Sequence, residues 1–453
     1  MFPSFARKAA YDILLRVEAG RDFAVDLLEG PRLADLKETD RRLATEIVMG
    51  TLRWRGELDH WIERLTSKPM KYFDADVAAI LRMSIYQIRF LERIPKSAVV
   101  NEAVNLVKLA RKGSAAGLVN AVLRKCPDAR NSNRANGTVS FAKGDPEIVE
   151  AAYRLLPAWL RARWENRFGT DGLRGLAWAA VQVPPATLRV TSANEREAIR
   201  QELVAEGLEV RPGLFGPLAL VIEKGSARGL KALREGRVFI QDEASQLVAS
   251  LLAPRAGECV LDLCAAPGIK TGQLATEQGS GLLVSCDLSA RRLRTMEKLL
   301  PRNLTAGLQL ERVRLDASRE LPFSGTFGRI LVDAPCSGTG TLARNPEIKL
   351  RLRPEDLLRL AEMQERILSN ALGALAPRGR LVYATCSLEP EENASVVEKV
   401  LGGRRDFSLL SKTELAREFP HLAKLFDERG YFRTRPDIHG MDGFFAAVIT
   451  HPS

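Results

Sequence analysis

The chain is poor in the residues that build metal sites and disulfide frameworks. Its 453 residues include only four histidines and six cysteines. No two cysteines form a CxxC pair, and His60, His421, His439 and His451 all stand apart from cysteine in sequence. Zinc sites need such clusters, so no metal is expected. Disulfide frameworks belong to small secreted chains, and a chain of this size does not need one. No apolar run approaches the roughly 20 residues that span a bilayer. The N-terminal stretch MFPSFARKAAYDILLRVEAG is broken by charge and lacks a secretory cleavage pattern. A cytoplasmic location without membrane contact is therefore expected, and nothing demands more than a monomer.

What is present is an ordinary globular composition, 45% hydrophobic and 27% charged, long enough for several domains. The net charge is +11, which suits a polyanionic partner because neutralising phosphates releases counterions. Residues 1–130 carry 23 Lys/Arg against 17 Asp/Glu, so the N-terminal part is the more basic per residue.

Residues 1–126 read as an all-helical bundle. Phe5, Ala9, Ile13 and Val17 recur at helical spacing, and Asp40 is placed to cap a helix carrying Leu43, Ile47 and Thr51. Stretches 78–92, 97–111 and 117–125 are also helix-like. Residues 127–145, rich in Asn, Ser and Gly, read as a linker. Residues 146–237 read as a short helical segment with Trp159 and Trp164, then a small α+β subdomain near 180–235: strand 187–193, helix 195–207, strand 218–225. Residues 238–453 alternate apolar runs (258–264, 282–287, 329–335, 379–387) with helix-like stretches. That alternation predicts a mostly parallel sheet with helices on both faces.

In such a sheet, ligands lie beyond the C-terminal strand ends. The first strand runs into CAAPGIK (264–270), whose small residues let backbone approach a ligand closely. A lone Gly268 is no GxGxxG, which disfavours a dinucleotide pyrophosphate. Asp287 ends the second strand, where an acid can accept ribose hydroxyls. Asp316 and Asp333 also follow apolar runs. Acids at successive strand ends suit a cationic sulfonium cofactor better than a polyphosphate.

Cys336 and Cys386 each follow a strand, flanked by Ser and by Pro or Thr, which predicts exposed sulfur on the cofactor rim. Cys126, Cys259 and Cys286 read as small buried hydrophobes, and Cys264 as a small side chain in the turn. Two thiols suit methylation at cytosine carbon 5, a poor nucleophile until a thiolate adds to carbon 6. The site should lower the attacking thiol's pKa, since a free thiol is mostly protonated at neutral pH. Asp333 is well placed to act near ring N3, and Cys336 to assist release once C5 has lost its proton. A base must leave any stack to be reached, which favours loop or single-stranded RNA.

These residues resemble the RNA cytosine-5 methyltransferase family, in its Sun/RsmB branch. The matching strings are QDEASQLVASLLAPRAGECVLDLCAAPGIKTGQLA (241–275), CDLSARRL (286–293), DAPCSGTGTLARNPEIK (333–349), YATCSLEPEEN (383–393) and MDGFFAAVI (441–449). DRRLATEIVMGTLRWRGELD (40–59), NEAVNLVK (101–108) and GLVNAVLRK (117–125) are similar to the NusB-type RNA-binding domain of that branch. The resemblance implies an all-α NusB-like bundle, a small α+β RNA-recognition-like subdomain and a Rossmann-like domain using S-adenosylmethionine. It assigns attack to Cys386 and release to Cys336, which spacing alone leaves open. It maps cofactor contacts to Cys264, Ala265, Ala266, Pro267, Gly268, Ile269, Lys270, Asp287, Asp316 and Asp333. It implies small-subunit (16S) ribosomal RNA as substrate. Ile269 departs from the pattern, which usually has a second glycine there; a Cβ would strain the loop if that position needs positive φ.

Two other readings are a transfer-RNA cytosine-5 methyltransferase and a non-catalytic RNA-binding or antitermination factor. A pure binder needs neither exposed cysteine.

Overall fold

In the computed structural model, residues 3–20, 22–30, 33, 35–128, 146–300 and 307–451 are described, with side chains of the second stretch from 149 onward. Residues 129–145 of the expected linker lie outside them. The chain forms two compact units: Met1–Val183 with Leu342–Arg351, and Pro184–Thr341 with Leu352–Ser453. Among the described residues, no helix is long and apolar enough to cross a membrane.

The first unit is helical, as the apolar spacing predicts. Its central helix, Ala75–Phe90, is buried from Val77 through Ile88, and the Asp74 carboxylate caps it by accepting the Val77 N–H. Helices Phe5–Glu18, Glu38–Arg53, Lys96–Leu109 and Ala116–Lys125 contribute to one continuous core with it. Two expectations shift. The first helix buries Ala6, Ala10, Ile13, Leu14 and Val17, leaving Phe5 74% exposed. Asp40 lies inside the first turn of Glu38–Arg53, whose N-cap is Lys37. An acid there favours the helix through its dipole rather than as a cap.

Leu342–Arg351 belongs to this unit although its neighbours in sequence do not. Arg53 donates from Nε and Nη2 to the Ala343 carbonyl at 3.1 and 3.0 Å. Lys349 Nζ donates to the Arg53 carbonyl at 2.6 Å, and Glu347 accepts the Ala24 N–H at 2.6 Å. Both charged side chains are buried. Burial, with the Arg53 charge adding to it, drops the Lys349 ammonium from 10.5 to about 7.

The second unit holds two sheets. In the smaller, β1 (Ala186–Val190), β2 (Glu209–Pro212), β3 (Ala219–Lys224) and β4 (Val238–Ile240) run in the order β2-β3-β1-β4, with every pairing antiparallel. Helix Arg196–Ala205 buries Ile199 and Leu203 against Leu188, Leu220 and Ile222 of this sheet.

The larger sheet contains β5 (Cys259–Leu263), β6 (Gly281–Asp287), β7 (Leu308–Arg314), β8 (Phe327–Asp333), β9 (Leu375–Thr385), β10 (Ser408–Leu409), β11 (Phe432–Arg433) and β12 (Phe445–Thr450). Its order is β10-β12-β9-β8-β5-β6-β7, with β11 paired to β12. Strands β7, β6, β5, β8 and β9 are parallel to their neighbours, whereas β12 is antiparallel to β9. Alternate residues face opposite ways. Leu261, Ile330, Val332 and Leu381 pack with helix Pro354–Ala374 on one face. Val260, Leu331 and Val382 pack with helices Glu243–Ser250 and Ile269–Gln278 on the other. This is the doubly wound layout expected from interleaved strands and helices. Its switch point lies between β5 and β8, where such sheets bind ligands.

Candidate active site

Strand β5 ends in a loop with little conformational slack. Cys264 has φ 61°, uncommon for a residue with a Cβ, and the Ala266–Pro267 peptide is cis. Gly268 follows at φ 105°, and a Cβ there would stand 2.4 Å from Met296 Cγ. Only glycine meets both conditions. Ile269 is the first residue of helix Ile269–Gln278 and has no positive φ. The expected strain at Ile269 is therefore absent, because the left-handed positions fall at Cys264 and Gly268. Thr271 anchors the helix start by donating to Asp262 Oδ2 at 2.6 Å. Burial pushes that Asp262 carboxyl up to about 7.

Asp287, at the end of β6, is buried and faces this loop. It accepts the Ala266 N–H at 3.2 Å and the Ser289 N–H at 2.8 Å. Arg292 lies 3.7 Å from it and donates to the Ala266 carbonyl. Burial, then the Asp287 charge and behind it Asp333, hold the Cys264 thiol far above its ordinary range. Cys264 is thus a neutral lining group.

At the end of β8, Asp333 is ion-paired with Lys270 at 2.8 Å, and the Lys270 ammonium stands 5.1 Å from the Phe444 ring centroid. Burial opposes the Lys270 charge, but Asp333, and after it Cys386, hold it above its usual value. The loop after β5 and the end of β8 are therefore tied across the switch point by a charge-assisted bond. Asp316, beyond β7, spends its carboxylate locally. It accepts the Ser318 N–H and hydroxyl at 3.0 and 2.6 Å, and these bonds lower its pKa.

The two thiols meet. Cys336 Sγ lies 3.3 Å from Cys386 Sγ, and both residues are half-buried. The loops that carry them are laced together: Ser337 Oγ is 3.1 Å from Ser387 Oγ, and the Gly340 N–H donates to the Cys386 carbonyl at 3.0 Å. Gly340 has no room for a Cβ, which would stand 2.0 Å from the Gly443 carbonyl oxygen. Hydrogen bonding to Cys386, burial and the Glu392 charge raise the Cys336 thiol well above its ordinary value. Cys126 and Cys286 are buried as expected; Cys259, at the start of β5, is half-buried instead.

Of the residues singled out from sequence, the 264–270 loop, Asp287, Asp333, Cys336 and Cys386 gather at the C-terminal ends of the parallel strands. Glu392, Gln364, Ser337 and Ser387 were not singled out. Glu392 is one acid of the EPEEN run, six residues after Cys386, and nothing local marks it as buried. Among the described residues, no group of three or more His, Cys, Asp or Glu is placed to hold a metal.

Residues 249–450 match the family described as 16S rRNA methyltransferase RsmB/F, residues 4–128 the NusB family, and residues 156–227 the ferredoxin-like domain of RsmF/B-like methyltransferases. The chain is 33% identical over 443 residues to a probable ribosomal RNA small subunit methyltransferase B of Bacillus subtilis, covering 97% of each chain. It is 34% identical over 426 residues to ribosomal RNA small subunit methyltransferase B of Pseudomonas putida, covering 92% of each. Among solved structures, PH0851 shares the fold at TM-score 0.76 and 24% identity, over 97% of this chain and 98% of that one. A methyltransferase homologue from Pyrococcus horikoshii aligns at TM-score 0.56 and 28% identity, over 68% of this chain and 100% of that one.

Proposed function

Because the chain belongs to the 16S rRNA methyltransferase RsmB/F family, we propose that it methylates carbon 5 of a cytosine in 16S ribosomal RNA, with Cys386 attacking and Cys336 releasing. It is a methyltransferase that uses S-adenosylmethionine. In this reading it acts in the cytoplasm and as a monomer.

The observation that carries the reading is the 3.3 Å spacing of two thiols on the strand-end rim that also holds the Lys270–Asp333 pair. Methylation of an oxygen or an exocyclic nitrogen requires no such pair, whereas C5 requires a nucleophile on C6 and help in removing it.

The site fits the cofactor in its chemistry. Cys264, Ala265, Ala266, Pro267, Gly268, Ile269 and Lys270 form a tight loop of mostly small residues, and Asp287 at the next strand end is an acceptor suited to ribose hydroxyls. Asp333 and Asp316 add negative charge along the same rim. Bound there, S-adenosylmethionine supplies an electrophilic methyl group on a cationic sulfur.

The chain's own residues do the rest. The Cys386 thiolate bonds to C6, and the C5=C6 electron pair shifts toward C5 and N3. The Lys270–Asp333 pair supplies a proton at N3 as this charge develops. Once C5 carries its methyl group, Cys336, having released its own proton to solvent, takes the C5 proton as a thiolate. The C5–H pair restores the C5=C6 bond, the C6–S pair returns to Cys386, and the N3 proton returns to Asp333 and Lys270. The helical first unit, matched to the NusB family, supplies the basic surface that holds RNA.

The test is methyl transfer from labelled cofactor into 16S RNA, as naked RNA and as small subunits, followed by nucleoside analysis. The reading expects label in 5-methylcytidine. Label in another nucleoside, or in transfer RNA alone, would overturn it.

A further inference from the structure

Glu392 is fully buried and sits beneath both cysteine loops. Its Oε1 accepts the Ser337 N–H at 2.8 Å and Gln364 Nε2 at 3.1 Å. Its Oε2 accepts the hydroxyls of Ser337 and Ser387 at 2.5 Å each. One carboxylate therefore holds the residue following Cys336 and the residue following Cys386. Gln364 extends the clamp by donating to the Pro335 carbonyl at 2.8 Å, on the other side of Cys336. The carboxylate is fixed in turn. Tyr383 donates its hydroxyl to the Glu392 carbonyl at 2.7 Å, and the next residue, Asn393, joins Thr385 at 2.5 Å and the Ser387 carbonyl at 2.9 Å. A buried carboxylate with four donors is a strongly directional tie.

We propose that Glu392 is a positioning residue for the thiol pair: it clips the two cysteine loops at reacting distance and biases their shared proton toward Cys336. The inference deepens the proposed reaction and rests on it. Either sulfur is placed to donate in the 3.3 Å contact, so geometry between the sulfurs does not choose. The surroundings do. The hydrogen bond to Cys386 and burial raise the proton affinity of Cys336 most and the Glu392 charge adds to them, while the Lys270 ammonium interacts with Cys386. A proton held on Cys336 leaves Cys386 as the nucleophile. The same anion makes Cys336, once deprotonated, the stronger base for the C5 proton.

The experiment is pH-resolved alkylation of the full-length protein with iodoacetamide, read at each cysteine by peptide mass spectrometry, with melting curves alongside. The alkylation arm needs no RNA or cofactor, so its result is independent of whether the RNA product is 5-methylcytidine. In the wild type, Cys386 should be alkylated ahead of Cys336 at pH 8. In Glu392→Gln, which keeps the shape and removes the charge, the Cys336 midpoint should fall by about one pH unit. In the same variant kcat should fall at least about tenfold, with the KM for S-adenosylmethionine little changed. Glu392→Asp should recover part of the midpoint, because it restores the charge. A purely structural role would lower the melting temperature and leave the Cys336 midpoint where it was; that outcome in a folded Glu392→Gln protein overturns the proposal. If Glu392→Gln does not fold, the wild-type order decides: Cys336 reacting first, or both together, overturns it.

Discussion

The Sγ atoms of Cys336 and Cys386 lie 3.3 Å apart although 50 residues separate them in sequence. Adjacent parallel strands produce this contact. Cys336 leaves β8 and Cys386 leaves β9, and these strands pair in register from Arg329/Arg380 to Asp333/Ala384. Both chains then turn outward at the same edge, where small residues allow the loops to touch. The chemistry proposed for the site depends on this pairing register.

Asp333 should be required for turnover and should also support the fold through Lys270. Its carboxylate is 31% exposed and bonded to Lys270 at 2.8 Å, so removing it leaves no large void. Asp333→Asn should lower kcat by about 10²–10⁴-fold, the usual range for a lost proton-transfer group. Its melting temperature should fall as well, because the mostly buried Lys270 ammonium loses its ionic partner. Steady-state kinetics and a thermal scan check both, and near-wild-type kcat would remove Asp333 from the reaction.

The loop after β5 should tolerate change at Ile269 and resist it at Gly268. Gly268→Ala places a Cβ 2.4 Å from Met296 Cγ at φ 105° and should cost about 1–3 kcal/mol, with weaker cofactor binding by calorimetry. Ile269→Gly should not tighten cofactor binding. It should destabilise the protein by up to about 1 kcal/mol, because it puts glycine into a helical first turn. A gain in affinity for Ile269→Gly would show that the loop does strain around that side chain.

Lys349 should make stability rise with pH across the neutral-to-alkaline range. Its ammonium titrates near 7 in the folded protein against 10.5 in a free lysine. Between those values the unfolded chain binds more protons than the folded one, so unfolding becomes harder as pH increases. Below about pH 7 both states are protonated and the slope vanishes. Melting curves from pH 6 to 10 should show wild type gaining on Lys349→Met above pH 7. Parallel curves would mean that the buried amine is not neutral in the folded state.

Much of this architecture was legible because buried strands and exposed helices leave different patterns. The runs 258–264, 282–287, 329–335 and 379–387 are mostly apolar, and each carries a site residue at or near its end. Strand β7, LQLERVR, escaped notice because it lies at the sheet edge and mixes charge into nearly every position. Strand β2 escaped for the same reason. The first helix was read one residue out of phase: Ile13 and Val17 are common to both faces, and Phe5 outweighed the smaller Ala6 and Ala10 that are buried. Segment 342–351 gave no warning that it packs with the helical unit, because nothing local marks Glu347 and Lys349 as buried charges. Glu392 was missed similarly. A charge buried by tertiary hydrogen bonds carries no local pattern, since its partners Ser337 and Gln364 lie far away in sequence.

The division of labour between the two sulfurs is tested most directly by incubating Cys386→Ala and Cys336→Ala proteins with substrate RNA and S-adenosylmethionine, then running denaturing gels. Cys336→Ala should leave RNA covalently attached to the protein, because attack and methylation proceed while release stalls. Cys386→Ala should show neither adduct nor product. An adduct that persists in Cys386→Ala and vanishes in Cys336→Ala would contradict the account by exchanging the two roles.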